Sequence, residues 1–205
     1  MKVILTGYRA TGKTVVGMLL SKKMKLPFVD TDRLIERAAG LPIRDIVAQF
    51  GWEEFRRREA CIVATLPQMP PCVVSTGGGV ILSAANREAL KQAGTVIWLK
   101  LPAAEIVRRL QHDGQTEQTR PAFTSDDLEK ETQAVLAQRL PLYEQTADFA
   151  VDTQGKSIVR VADDIYELLV ETGVVAGIGA FQKKSRKTSG RDGSWGVIFP
   201  ADYFA

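Results

Sequence analysis

Lys2-Val3-Ile4-Leu5-Thr6-Gly7-Tyr8-Arg9-Ala10-Thr11-Gly12-Lys13-Thr14 is a short apolar run followed at once by a complete G-x-x-x-x-G-K-[ST] element. Each fixed position in that element has a physical task. Glycines let backbone N–H groups curl round phosphates, the lysine reaches the β and γ oxygens, and the threonine hydroxyl ligates Mg2+. A helix predicted from Lys13 adds the positive end of its dipole. A strand leading into the turn is the context the motif requires, so the stretch predicts a nucleoside triphosphate site rather than a glycine-rich turn.

Outward from that turn, short apolar runs alternate with helical patterns, which predicts an α/β domain on a parallel sheet. Strands are expected at Val3–Thr6, Phe28–Asp30, Val73–Thr76, Thr95–Leu99 and Phe149–Val151. Helices are expected at about 13–24, 31–38, 42–50, 52–66, 83–93, 102–111, 127–145 and 157–171. Pro102 suits a helix start, and Leu41-Pro42 separates two short helices. Pro141 should end or kink the helix that carries it. The stretch from His112 to Asp126 fits neither pattern: it is polar, contains Gly114 and Pro121, and reads as a functional loop or lid. His112, the single histidine, is read as solvated rather than catalytic.

The chain has 205 residues, 45% of them hydrophobic, which suits one domain with a full core. No apolar run approaches membrane-spanning length. A phosphate loop starting at Gly7 leaves no room for a cleaved signal peptide. Cys61 and Cys72 have neither metal nor redox spacing and read as small apolar residues, so a reducing cytoplasm is expected. The net charge of +3 resides in residues 176–205, leaving the body with 22 basic and 22 acidic residues. That balance argues against a nucleic-acid surface on the body, and the Gly-, Ser- and Lys/Arg-rich tail is expected to be a solvated extension. The expected organisation is a kinase-like body over residues 1–175 and a basic tail over 176–205.

Ligands of open parallel sheets sit at the carboxyl ends of the strands, and candidate residues cluster there. Asp30-Thr31-Asp32 ends the second strand; one carboxylate can hold Mg2+ through water and the other can accept from a substrate hydroxyl, or the pair can cap the next helix. Ser75-Thr76-Gly77-Gly78-Gly79 runs from a strand into three glycines that expose main-chain donors, unless they form a plain loose turn. The Mg2+-linked aspartate common at such a strand end is missing, which shifts that role towards Asp30. Arg56 and Glu59 flank a helix face marked as buried by Trp52, Phe55, Ile62 and Leu66, while Arg57 and Arg58 point elsewhere. Arg139 lies on an apolar helix stripe and needs an anion, either a structural carboxylate or the substrate. Arg120, in the lid-like loop, can close over a γ-phosphate or be an ordinary surface arginine.

Taken together, Gly7–Thr14 with Val15-Val16-Gly17, Phe28-Val29-Asp30-Thr31-Asp32, Phe55-Arg56 with Glu59, Ser75–Gly79, Arg120-Pro121 and Arg139-x-Pro141-Leu142-Tyr143 resemble shikimate kinase over about residues 1–171. The long lid and Trp52 resemble most the family's second isoenzyme type. The resemblance implies a five-stranded parallel sheet of order 2-3-1-4-5 with a mobile lid. It implies ATP-dependent phosphorylation of the shikimate 3-hydroxyl, on the route to chorismate and the aromatic amino acids, by a cytoplasmic monomer with no nucleic-acid or membrane partner. In that reading Ala10, Thr11, Gly12, Lys13, Thr14 and Val15, with the lid residue Arg120, hold ATP, and Thr14 and Asp30 serve Mg2+. Lys13, Asp32 and Arg120 are the catalytic set. Asp32 takes the shikimate hydroxyls as a candidate base, Gly77, Gly78 and Gly79 meet shikimate through main chain, and Arg56 and Arg139 clamp its carboxylate. Departures are Pro121-Ala122-Phe123 for the usual Pro-Leu-Leu, Lys156 where relatives place an adenine-contacting arginine, and the tail beyond about residue 175. Gluconate would meet the same chemical demands, and a P-loop module using ATP only as a switch is the reading from another class.

Overall fold

The computed structural model describes residues 1–112 and 128–175. Five parallel strands form one sheet: β1 (Val3–Thr6), β2 (Phe28–Asp30), β3 (Val73–Ser75), β4 (Thr95–Lys100) and β5 (Phe149–Asp152). Their order is β2-β3-β1-β4-β5, the order the resemblance implies. All four β1 residues are buried, so the strand is covered on both faces rather than alternating between core and solvent.

The α-helices described are α1 (Lys13–Met24), α2 (Thr31–Ala39), α3 (Ile43–Thr65), α4 (Ala84–Ala93), α5 (Ala103–His112), α6 (Leu128–Thr146) and α7 (Ile158–Glu171), with short 3-10 turns at Leu66–Gln68 and Val80–Leu82. Gly51, at φ 81° and ψ 171°, breaks α3 into the two helices the sequence predicts. Gly17 lets α1 approach β2, because a Cβ there would fall 2.6 Å from the Phe28 ring. Among the described residues no helix is long and apolar enough to cross a membrane. Met1–Leu168 form one compact unit, which carries the sheet and the site described below; a second unit begins at Leu169.

Pro141 does not end its helix: α6 runs through it to Thr146, close to the expected limit of about residue 145. Packing holds the turn beyond the proline. Tyr143 is fully buried, stacks on Trp98 with ring centroids 5.6 Å apart, and donates its hydroxyl to the Gly78 carbonyl at 2.6 Å. Those contacts outweigh the one backbone hydrogen bond that proline removes. Trp98 and Tyr143 share an apolar cluster with Ile4, Val74, Val80 and Leu90 between the sheet and α4 and α6.

Candidate active site

β1 ends at Thr6, and the loop that follows takes backbone conformations few side chains allow. Gly7 has φ 142°, Ala10 φ 61° and Gly12 φ 89°. Gly7 is also forced by space, since a Cβ there would lie 2.7 Å from the Leu99 carbonyl oxygen. Gly12 caps α1 with no side-chain hydrogen bond, so the first N–H groups of the helix face the turn, as anion binding requires. One carbonyl organises the loop: Tyr8 O accepts from Lys13 Nζ at 2.7 Å and from Thr11 Oγ1 at 2.8 Å. Ala10, Thr11, Gly12, Lys13 and Thr14 line this turn as the motif predicts, whereas Val15 is 45% exposed on the helix beyond it. From α5, Arg109 donates to the Ala10 carbonyl at 3.2 Å and pairs with Glu105 at 3.1 Å. Sequence reading missed Arg109, and only its place on the α5 face could have flagged it.

The strand register brings the oxygen donors together. Asp30 pairs with Ser75 across β2 and β3, and Ser75 pairs with Leu5 of β1, so both strand ends sit beside the phosphate loop. Thr14 Oγ1 donates to Asp30 Oδ2 at 3.0 Å and lies 3.4 Å from Ser75 Oγ. Asp30 Oδ1 accepts from the Asp32 and Arg33 amides at 3.1 and 3.4 Å. Asp30 therefore caps α2 with one oxygen and faces Thr14 with the other, so the cap leaves one carboxylate oxygen beside the phosphate loop. A hydroxyl, a carboxylate and a second hydroxyl are hard donors that suit Mg2+, an ion that keeps several waters. Ser75 was given no cation role in the sequence because an aspartate, not a serine, is the familiar signal at that strand end.

Beside the loop opens a cleft. Asp32, Arg56, Gly77, Gly78, Gly79 and Arg139 all line it. Gly78 sits against the phosphate loop, its added Cβ falling 3.1 Å from the Arg9 amide nitrogen, so the cleft and the loop share a wall. The glycines are not a loose turn. An added Cβ on Gly77 would lie 2.8 Å from Asp32 Oδ1 and 2.9 Å from Glu59 Oε1, and one on Gly79 would fall 2.7 Å from Arg56 Cζ. Only a bare backbone lets these charged groups come so close.

The two arginines are held differently. Arg56 Nη1 donates to Glu59 Oε2 at 2.7 Å, and Glu59 is 1% exposed. Arg139 Nη1 donates to the Gly78 carbonyl at 3.3 Å, with its guanidinium 5.5 Å from the Tyr8 ring centroid. Among the described residues no carboxylate forms an ion pair with Arg139, and its side chain lines the cleft. Burial pushes the Tyr143 phenol well above its ordinary range, so it stays a donor to Gly78. Trp52 corrects the expectation of a buried face: it is 41% exposed and lines the cleft, edge-on to buried Phe55 at 5.8 Å. Tyr8, Arg9 and Ile43 also line it and were not singled out from the sequence. Arg57 and Arg58 do point elsewhere, both to Glu54, whose carboxyl they pull down to about 2. Lys156 is committed to Asp164 at 2.8 Å. Arg120 and the proposed lid, 112–126, lie outside the described residues apart from the backbone of His112 at the end of α5.

A triphosphate cradle sharing a wall with a cleft for an anionic, hydroxylated molecule defines a P-loop small-molecule kinase. Residues 9–170 match the family model for shikimate kinase. A shikimate kinase of Syntrophus aciditrophicus is 41% identical over 171 residues, covering 80% of this chain and 88% of that protein. A shikimate kinase 2 of Dickeya chrysanthemi is 39% identical over 150 residues, covering 73% and 86%. The structure resembles shikimate kinase from Acinetobacter baumannii in complex with shikimate, with a TM-score of 0.78 and 32% identity over 83% of this chain and 93% of that one. The Aquifex aeolicus shikimate kinase gives 0.71 and 28% over 86% and 99%. The chain belongs to the shikimate kinase family, and it is an ATP-dependent kinase.

Proposed function

We propose that this chain transfers the γ-phosphoryl group of ATP to the 3-hydroxyl of shikimate, giving shikimate 3-phosphate and ADP. The observation that carries the reading is the convergence of Asp32, Arg56, Gly77–Gly79 and Arg139 on one cleft against the phosphate loop. The A. baumannii relative in complex with shikimate supports shikimate over gluconate as the acid. A switch module would have no use for a second, carboxylate-binding cleft.

In this mechanism the loop amides and Lys13 hold the β and γ phosphates. Thr14 and Asp30 would hold Mg2+, which would supply neutralisation of the phosphate charge. Arg56 and Arg139 orient the acceptor by its carboxylate and the glycine turn holds it through main chain. Asp32 aligns the hydroxyl and takes its proton. The hydroxyl oxygen bonds to the γ phosphorus as the bond to the β–γ bridging oxygen breaks, and ADP leaves. By the resemblance, Arg120 would supply positive charge to the transferring group. The same reading makes residues 1–175 the catalytic body and 176–205 an appendage. It implies a cytoplasmic monomer on the route to chorismate and the aromatic amino acids.

ADP release measured with shikimate, gluconate, nucleoside monophosphates or no acceptor tests the assignment. Turnover with shikimate should exceed the others by at least about 10²-fold, the discrimination of a site built to pair a substrate's polar groups. Equal turnover with gluconate, or release without any acceptor, would contradict it.

A further inference from the structure

Tyr8 occupies a position of the phosphate loop where the motif makes no demand, yet it is 2% exposed and touches both halves of the site. One side of its environment is apolar, formed with Leu101, Ile106, Leu110 and Leu136. The other is cationic: the Arg139 guanidinium lies 5.5 Å from the ring centroid and that of Arg9 5.8 Å. Its carbonyl belongs to a different task, holding Lys13 at 2.7 Å.

The contrast with Arg56 gives this contact its meaning. Arg56 also lies over rings, Phe55 at 5.1 Å and Trp52 at 5.7 Å, but it is paired with the buried Glu59 carboxylate, which offsets part of its charge. Arg139 is fixed by a carbonyl and a ring face. A ring attracts a cation through its quadrupole without supplying a formal counter-charge, so Arg139 is located yet keeps its full charge for a ligand. We propose that Tyr8 is a positioning residue for the acceptor, its ring face holding Arg139 ready for the substrate carboxylate. This rests on the acceptor clamp put forward above.

The side chain and the carbonyl of Tyr8 serve different substrates, so a ring substitution should divide the two Michaelis constants. Tyr8→Leu keeps the apolar contacts and should raise the acceptor KM about threefold to tenfold while leaving the ATP KM and the melting temperature nearly alone. Tyr8→Phe should recover most of that loss. Replacing Tyr8 with phenylalanines of increasing fluorination keeps the shape while draining the ring face, and the acceptor KM should climb stepwise. A flat KM across that series, or Tyr8→Leu moving both Michaelis constants together, overturns the proposal. Arg139→Lys is measured alongside. If it leaves the acceptor KM unchanged, the clamp itself is wrong and Tyr8 falls with it. If it raises KM while fluorination does nothing, only the Tyr8 assignment fails.

Discussion

In the phosphate loop, Thr11 and Lys13 reach the Tyr8 carbonyl from three and five residues away. In the acceptor wall, the Gly78 carbonyl takes Arg139 and Tyr143 from 61 and 65 residues away. The loop is wound from its own backbone, with glycine torsions and a helix terminus doing the work. The wall is assembled from α2, α3, the turn after β3 and α6, and holds together only when the fold around it is complete. A loop of the first kind can serve any nucleoside triphosphate. Selection of the acceptor has to come from the second.

Asp32→Asn breaks the wall where it meets the chemistry and should have the largest effect. Turnover should fall by about 10²–10⁴-fold, the usual cost of losing a general base. ATP binding by titration calorimetry and the melting temperature should stay near wild type, since Asp30 and not Asp32 caps α2. Near wild-type turnover at saturating acceptor would remove Asp32 from the reaction.

Gly79→Ala sharpens the comparison. The new methyl would fall 2.7 Å from Arg56 Cζ, so the guanidinium must swing away. The acceptor KM should rise roughly tenfold, as for a lost hydrogen bond to a charged group, with the ATP KM little changed. Gly40→Ala is the control: at φ 66° with no neighbour within 4 Å, it should cost about 1–2 kcal/mol of stability through backbone strain and neither KM.

The smallest effect is expected from Tyr143→Phe. Gly78 loses one of its two side-chain donors but keeps Arg139, so about 1–2 kcal/mol of stability should go, lowering Tm by about 2–8 °C. The acceptor KM should move only slightly. The pH dependence has a definite sign. The folded-state phenol is raised, so it stays protonated where the unfolded chain ionises near pH 10. Its contribution is present below that pH and is lost as pH climbs beyond it. The Phe variant should lack this extra alkaline loss in denaturant titrations.

The same contrast explains what the sequence made legible. The phosphate loop could be read from eight consecutive residues, because its function lies in backbone torsions that glycine advertises. The strands were legible because each is a short buried run bounded by turn residues, and the α3 break because Gly51 punctuates it. The wall was legible only in its charged members. That Arg56 is held by Glu59 is an i,i+3 relation the sequence hinted at; that Arg139 is held by Tyr8 is not, since β4, α5 and α6 must pack first. Trp52 was misread as buried because a helix period says which residues share a face, not whether that face meets the core or a cleft. That α6 runs on past Pro141 was legible in its pattern to about residue 145, but the anchor beyond the proline, buried Tyr143 on Trp98, was not.

The account stands most directly on the claim that Arg56 and Arg139 form one carboxylate clamp, and a two-by-two comparison of Arg139→Lys with the methyl ester of shikimate tests it. Lysine cannot reproduce the guanidinium fork, so the variant should raise the KM for shikimate by about tenfold or more with the ATP KM unchanged. The ester should impose a similar loss on the unaltered enzyme, and the two losses combined should not add, because both remove one interaction. An ester phosphorylated as efficiently as the free acid would contradict the account and leave Arg139 a structural cation held by Gly78 and Tyr8.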